Sequence, residues 1–384
     1  MHALVAPDKF KGSLTAVEVA ARVAAGLRSV TPEVPVRQVP VADGGDGTVA
    51  AAVAAGFDRV PARASGPTGA PVDTAYARRG DLAVVEMACV CGLLLLPGGR
   101  PDPLHASSFG LGEVIRATVA AGCRRLVVGV GGSASTDGGA GMLQALGARL
   151  VDAHGEALGH AGLPLDARYT VELSGLDPAL REVELVVASD VDNPLAGPRG
   201  AAAVYGPQKG ATPDDVVRLD AALRRWGEAV TAATGLDRTS TPGAGAAGGV
   251  GYAAVAALGG QLRPGIDIVL DLVGFAEQLP GCRLVVTGEG ALDTQTLAGK
   301  APAGVAAAAG AAGVPVVAVA GRNTLPAEDL ADAGIAAAYP LTDLEPDVAR
   351  CIARAGPLLE QVAARIAREW LLAPAGDTGA RAAG

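Results

Sequence analysis

The sequence predicts an α/β protein of two domains: a parallel-sheet domain with a second α/β domain of mixed sheet inserted into it. Three observations carry this expectation. At 384 residues the chain is too long for one compact core of ordinary size. Short apolar runs alternate with amphipathic or small-residue segments along most of its length, the order that builds a parallel sheet covered by helices. One stretch, VDTAYARRGDLAVVEMA, breaks the order and reads as two strands around the turn RRGD.

The elements follow in chain order. HALVAP is a strand, and TAVEVAARVAAGLRSV is an amphipathic helix with Thr15 as its N-cap. VPVRQVPVA is a strand ending at DGGDGT, before the small-residue helix VAAAVAAG. CRRLVVGV leads through a glycine-rich loop into MLQALGARL, and ELVVASD leads into DNPLAGPRG. RLVVTGEG leads into APAGVAAAAGAAG, VPVVAVAG and IAAAYPL are short strands, and the closing helix carries a kink signal at Gly356-Pro357. The expected division is residues 1–62 with 283–372 as one Rossmann-like domain and 63–282 as the insert. Residues 373–384 have the composition of a flexible tail.

Composition narrows the function. Half of the residues are apolar and 18% are charged, the profile of a globular chain. The net charge is −9 with no basic block, which argues against nucleic acid as a partner. The uncharged stretch 302–321 is long enough for a membrane, but Gly313 and Pro315 split it into a helix and a strand. Five cysteines form no CxxC pair, and MHALVAPDKFKGS has no signal-peptide core, so a cytoplasmic location is expected. An oligomer is compatible with all of this.

In open α/β sheets ligands bind beyond the carboxyl ends of the strands. Five predicted strand ends carry acids among glycine, hydroxyl or amide residues. They hold Asp8 with Lys9, Lys11 and Ser13; Asp43 and Asp46; Ser133, Ser135, Thr136 and Asp137; Asp190, Asp192 and Asn193; and Glu289 with Asp293. A single one of these reads equally well as a solvated turn or a helix cap, as Asp46 would be for the helix starting near Thr48. Five together call for neutralisation, and a hard divalent cation on oxygen ligands, Mg²⁺ beside phosphates, is the economical source. Only four of the 31 Lys and Arg residues are lysine, namely Lys9, Lys11, Lys209 and Lys300, and each stands in a glycine-flanked loop. A compact ammonium there suits a phosphate oxygen.

The loop GVGGSASTDGGAGM could hold a dinucleotide, a nucleoside triphosphate, a small acid or nothing. Gly129, Gly131 and Ala134 fit GxGxxG/A, with Asp152 at the distance of a ribose-binding acid, but the polar insert displaces the helix from that fingerprint. No Walker A sequence is present. What remains is a hydroxyl-rich anion cradle at a helix start, including Gly131, Gly132, Ser133, Ser135, Thr136 and Asp137. Acids for a metal, lysines for phosphates and glycine cradles suit phosphoryl transfer, which needs positioning and charge neutralisation. An NAD-dependent oxidoreductase and a non-catalytic binding protein are the rival classes.

APDKFKGSLTA, PVADGGDGT, GVGGSASTDGGAGMLQALGA, SDVDNPL, YGPQKGA, PGAGAAGG and VVTGEGALDTQT occur in this order. Together they resemble the bacterial glycerate kinases of the first type, over nearly the whole chain. The resemblance implies two α/β domains with the site between them. It also implies transfer of the γ-phosphate of ATP to D-glycerate with Mg²⁺, giving 2-phosphoglycerate by direct in-line transfer. It implies that Asp190 and Asn193, with Asp43 or Asp46, hold Mg²⁺ or accept the hydroxyl proton. Glu289 and Asp293 would extend that acidic set, and Lys11 and Lys209 would contact phosphate or the glycerate carboxylate. Asp8, Ser13 and Lys300 join the substrate and phosphate contacts. SDVDNPL departs from the more usual CDVTNPL, so Asp192 stands where threonine is common.

Overall fold

The structure is a computed structural model and describes residues 1–165, 168–297 and 299–372. In chain order the strands are β1 (His2–Pro7), β2 (Val36–Gln38), β3 (Asp58–Ser65), β4 (Pro71–Arg79), β5 (Leu82–Glu86), β6 (Arg125–Gly129) and β7 (Arg149–Val151). They continue as β8 (Thr170–Glu172), β9 (Glu184–Ala188), β10 (Gln261–Arg263), β11 (Cys282–Leu292), β12 (Val316–Asn323) and β13 (Ala337–Pro340). The chain forms two compact units, each α/β. One holds Met1–Asp43, Ala50–Ala55 and the chain from Ile266 onward; the other holds Gly44–Val49 and Gly56–Gly265.

The first unit is a five-stranded sheet in the order β13-β12-β11-β1-β2, with every pair parallel. Alternate residues face opposite sides. Ala3, Val5, Leu284, Val286, Val317 and Val319 pack under the helices Ala16–Val30 and Ala355–Ile366. Leu4, Ala6, Val285, Ala318 and Ala320 pack under the helices Gly265–Leu272 and Ala301–Ala311. A sheet covered on both faces needs near-continuous apolar strands, which is how HALVAP and RLVVTG read. Thr15 caps its helix in a capping box with Glu18. Near Gly356-Pro357 the closing segment breaks into Val348–Ala353 and Ala355–Ile366, with Pro357 in the first turn of the second helix, where its missing N–H costs nothing.

The second unit is a six-stranded mixed sheet in the order β10-β9-β6-β5-β4-β3. β5, β6, β9 and β10 run parallel. β4 and β5 form the antiparallel hairpin around Gly80, and β3 adds a further antiparallel edge strand. β7 and β8 make a separate antiparallel pair.

The sequence boundaries at 62/63 and 282/283 thus differ from those found. The first falls inside β3, which pairs residue for residue with β4 and belongs to the second unit. Ile266, Val269 and Phe275 join the first unit's core, which moves the other boundary to Gly265. VPVRQVPVA keeps only Val36–Gln38 as strand, although the Val39 and Val41 N–H groups still donate to the Val5 and Pro7 carbonyls at 2.8 and 3.0 Å, with Pro40 between them on the open edge where no N–H is needed. The stretch 302–321 is nearly all of the helix Ala301–Ala311 followed by most of β12, and among the described residues no helix is long and apolar enough to cross a membrane. The expected tail, 373–384, lies outside the described residues.

Candidate active site

In the first unit Pro7 of β1 lies opposite Gly288 of β11, so Asp8, just past the end of β1, stands beside Glu289 of β11, which runs on to Leu292. The Asp8 N–H donates to the Gly288 carbonyl at 2.8 Å. Asp8 is 7% exposed, and burial pushes its carboxyl up to about 7; Asp43 and Glu289 push the same way. Lys9 opposes them, with its N–H 2.6 Å and its ammonium 3.8 Å from Asp8 Oδ1. Glu289 is raised chiefly by burial, and further by Asp293 and Asp43. The Thr296 hydroxyl, 2.5 Å from its Oε1, and Lys300 act against that. Asp8, Asp43 and Glu289 are therefore one electrostatic group, with lysines at two of its sides.

The neighbouring residues divide between this group and the scaffold. Lys300 stands at the N-cap position of the helix Ala301–Ala311. Asp293 caps the turn that begins Thr294–Leu297, its Oδ1 accepting the Gln295 N–H at 2.9 Å. Lys11 is exposed on a turn closed by the Phe10–Leu14 bridge, where Gly12 takes φ +79°. Ser13 on that turn donates its hydroxyl to the Ile352 carbonyl at 3.0 Å, a structural bond.

In the second unit the loop Gly44–Thr48 crosses the carboxyl ends of β5, β6 and β9, and the contacts allow only glycine. A Cβ on Gly129 would lie 2.6 Å from the Gly44 carbonyl oxygen, and one on Gly131 would lie 2.6 Å from Gly45 Cα. A Cβ on Gly44 would meet Gly265 Cα at 2.7 Å and Ala188 Cβ at 2.9 Å. The GxG pattern after β6 is thereby accounted for by the loop packed on it, and the dinucleotide reading loses its main support. Asp46 is exposed on this loop. The bonds at the start of the helix Thr48–Ala54 go to Glu86, whose carboxylate accepts the N–H groups of Gly47 (3.1 Å) and Val49 (3.0 Å). In the sequence Glu86 stands only as the last residue of a strand. Its signal was the one used elsewhere, an acid closing an apolar run, here LAVVE.

The loop after β6 is held from within. Asp137 is buried, and its carboxylate accepts from Ser108 N (2.7 Å), Ser108 Oγ (2.8 Å), Gly139 N (3.1 Å) and Gly141 N (3.2 Å). This carboxylate therefore ties the loop to the helix Phe109–Ala120. Lys209 is 2% exposed and donates to the Ser135 carbonyl; burial lowers its ammonium to about 8, against the pull of Asp137. Ser135 Oγ and Thr136 Oγ1 are buried and have no hydrogen-bond partner. Ser133 forms an isolated bridge with Gly92, and Gly132 takes φ +71° beside Ala88.

Beyond β9, Asp190 is exposed, and its Oδ1 accepts the Gly265 N–H at 2.7 Å. Asn193 uses both ends of its amide, donating to the Arg199 carbonyl (2.8 Å) and accepting the Tyr205 hydroxyl (2.5 Å). Asp192 pairs with Arg199 at 3.0 and 3.1 Å on the surface. Such an exposed pair contributes little energy.

Among the described residues no three His, Cys, Asp or Glu side chains gather closely enough to enclose a metal ion by themselves. The acids present are oxygen donors, which suits a hard ion such as Mg²⁺ that takes most of its shell from phosphate and water. The chemistry on hand is charge neutralisation and proton acceptance by carboxylates, with ammonium groups placed for anions.

The profile of the glycerate kinase family matches residues 3–371. The chain belongs to the glycerate kinase family. It is by that membership an enzyme, a phosphotransferase. A relative named glycerate kinase in Bacillus subtilis (strain 168) is 47% identical over 312 residues, covering 80% of this chain and 82% of that one. One named glycerate 2-kinase in Escherichia coli (strain K12) is 45% identical over 310 residues, covering 80% and 81%. A crystal structure from Salmonella typhimurium LT2, provisionally called glycerate kinase 2, matches with a TM-score of 0.83 at 40% identity. It covers 96% of this chain and 98% of that one. Family membership agrees with the strand-end acids and removes the oxidoreductase from consideration.

Proposed function

We propose that this glycerate kinase family member transfers the γ-phosphate of ATP to D-glycerate at the 2-hydroxyl, with Mg²⁺, giving 2-phosphoglycerate and ADP. The observation that carries the reading is the group formed by Asp8, Asp43 and Glu289. Like charges crowded together are costly unless a cation or a bound proton neutralises them. The relative named glycerate 2-kinase supports the choice of hydroxyl.

Asp43, beside Asp8 and Glu289, would give Mg²⁺ a carboxylate contact while phosphate and water supply the rest of its shell; when bound, the ion neutralises phosphate charge and orients the transferring group. Lys11 and Lys300 contact phosphate oxygens. Asp46 accepts the proton of the 2-hydroxyl as that oxygen attacks the γ-phosphorus, and the bridging oxygen leaves in line with ADP. Asp190 is the second proton-accepting candidate. The loop 131–136 accepts the glycerate carboxylate. Its Ser135 and Thr136 hydroxyls are closed to solvent, so a ligand reaches them only as the loop shifts. Lys209 acts on that loop through the Ser135 carbonyl, and Asn193 supports its own turn.

Coupled ADP release against a panel of small hydroxy acids tests the substrate, and ³¹P NMR of the product tests the hydroxyl. The reading expects D-glycerate to lead the panel and the phosphate to sit on C2. Turnover of NAD with glycerate and no ADP release would overturn it.

A further inference from the structure

Glu86 is 2% exposed at the last residue of β5, and both main-chain N–H groups it accepts from lie at the Gly44–Thr48 loop and the helix start that follows it. Its two carboxylate oxygens are divided: Oε1 accepts the Gly47 N–H and the Cys89 thiol (3.3 Å), and Oε2 accepts the Val49 N–H. The Gly47 and Val49 donors flank Thr48, whose own hydroxyl closes back on the Gly45 carbonyl at 2.7 Å. These amides belong to the first turn of Thr48–Ala54, where N–H groups have no partner inside the helix. A buried acid supplied from another strand satisfies them, and the helix start favours its charge.

Keeping this acid is expensive. Burial raises its carboxyl above the ordinary range and Asp46 raises it further, so Glu86 and Asp46 repel. A neutral cap from Ser or Asn would satisfy the same amides without that cost. The arrangement makes sense when what matters is where the loop stands. The loop is seated from below by glycine contacts to Gly129, Gly131 and Gly265 and held at its far end by one carboxylate.

We infer that Glu86 is a positioning residue for phosphoryl transfer, fixing the Gly44–Thr48 loop so that Asp46 meets the acceptor hydroxyl. The inference rests on the proton-accepting role proposed for Asp46. A misplacement of about 1 Å in such a group costs on the order of 10²-fold in rate. Glu86→Gln keeps the volume but turns one oxygen into a donor facing a donor, so the loop loses one of its two anchors.

The test is a double-mutant cycle of Glu86→Gln and Asp46→Ala, with kcat and KM for D-glycerate and a melting curve for each protein. The expected result is a fall in kcat of about 10- to 100-fold for Glu86→Gln at little change in KM. In the Asp46→Ala background the same substitution should change kcat less than about twofold, since the group it positions is gone. Faster hydrogen exchange at the Gly47 and Val49 amides should accompany the loss. Should Glu86→Gln not fold, Glu86→Asp, which keeps the charge and shortens the reach, replaces it in the same cycle. Equal losses in both backgrounds, or unchanged kcat in the first, would overturn the inference while wild-type turnover upholds the kinase reading. No ADP release by the wild type would remove both.

Discussion

The carboxylate of Asp137 accepts both the main-chain N–H and the hydroxyl of Ser108, at 2.7 and 2.8 Å, across 29 residues of chain. With the Gly139 and Gly141 amides it completes four bonds, which makes this acid the brace of its loop. Asp137→Ala leaves four buried donors unsatisfied and should lower stability by about 3 kcal/mol or more. Urea denaturation measures it. A loss of affinity for glycerate with unchanged stability would instead make Asp137 a ligand contact.

Asp8 supplies a prediction with a sign. Its folded pKa of about 7 lies above the ordinary 3.8, so the folded state favours the protonated acid. The stability that goes with this is fully present below about pH 4 and is lost as the pH rises through 7. At about 1.4 kcal/mol per unit the loss reaches about 4 kcal/mol at most. Asp8→Asn removes the charge, so without divalent cation the variant should gain on wild type steadily from pH 4 to 8. Addition of Mg²⁺ at pH 8 should narrow the gap by stabilising the wild type. Denaturation curves at pH 4, 6 and 8 decide the matter; a gap independent of pH counts against the acid group.

Lys209 gives the opposite slope. Its folded pKa of about 8 lies below the ordinary 10.5, so burial costs stability as the pH falls from 10.5 through 8, by about 3 kcal/mol at most. Lys209→Met abolishes that term, and its stability relative to wild type should improve between pH 10 and pH 7. Parallel curves at both pH values would show an ammonium that is not buried.

Lys11 is exposed, so its replacement should spare the fold. Lys11→Ala should lower kcat by a factor on the order of 10² to 10³ with an unchanged melting temperature, as expected for a charge contact made in the transition state. Near-normal turnover would remove Lys11 from the phosphate contacts.

The sheets were legible because their strands are apolar runs ending in glycine or acid, as in HALVAP, CRRLVVGV and ELVVASD. β3 escaped because DRVPARAS mixes arginines and a proline, which suits an exposed edge strand but carries no core signal. The strand-end acids were legible for the same reason as the strands. Their division of labour was not, because it depends on contacts distant in sequence. Asp137 finds Ser108, and Glu86 finds amides 37 and 39 residues earlier. Asp137 and Glu86 close or follow similar apolar runs, yet the hydroxyls around Asp137 suggest an anion contact and nothing beside Glu86 marks it. Only the tertiary fold shows both as anchors.

³¹P NMR of the product formed from D-glycerate, ATP and Mg²⁺, with ADP followed in parallel, decides both the reaction and the hydroxyl. Stoichiometric ADP and a phosphate coupled to the single C2 proton are expected, with neither in the absence of Mg²⁺. A phosphate coupled to the two C3 protons would contradict the assigned hydroxyl, and absence of ADP release would contradict the kinase reading itself.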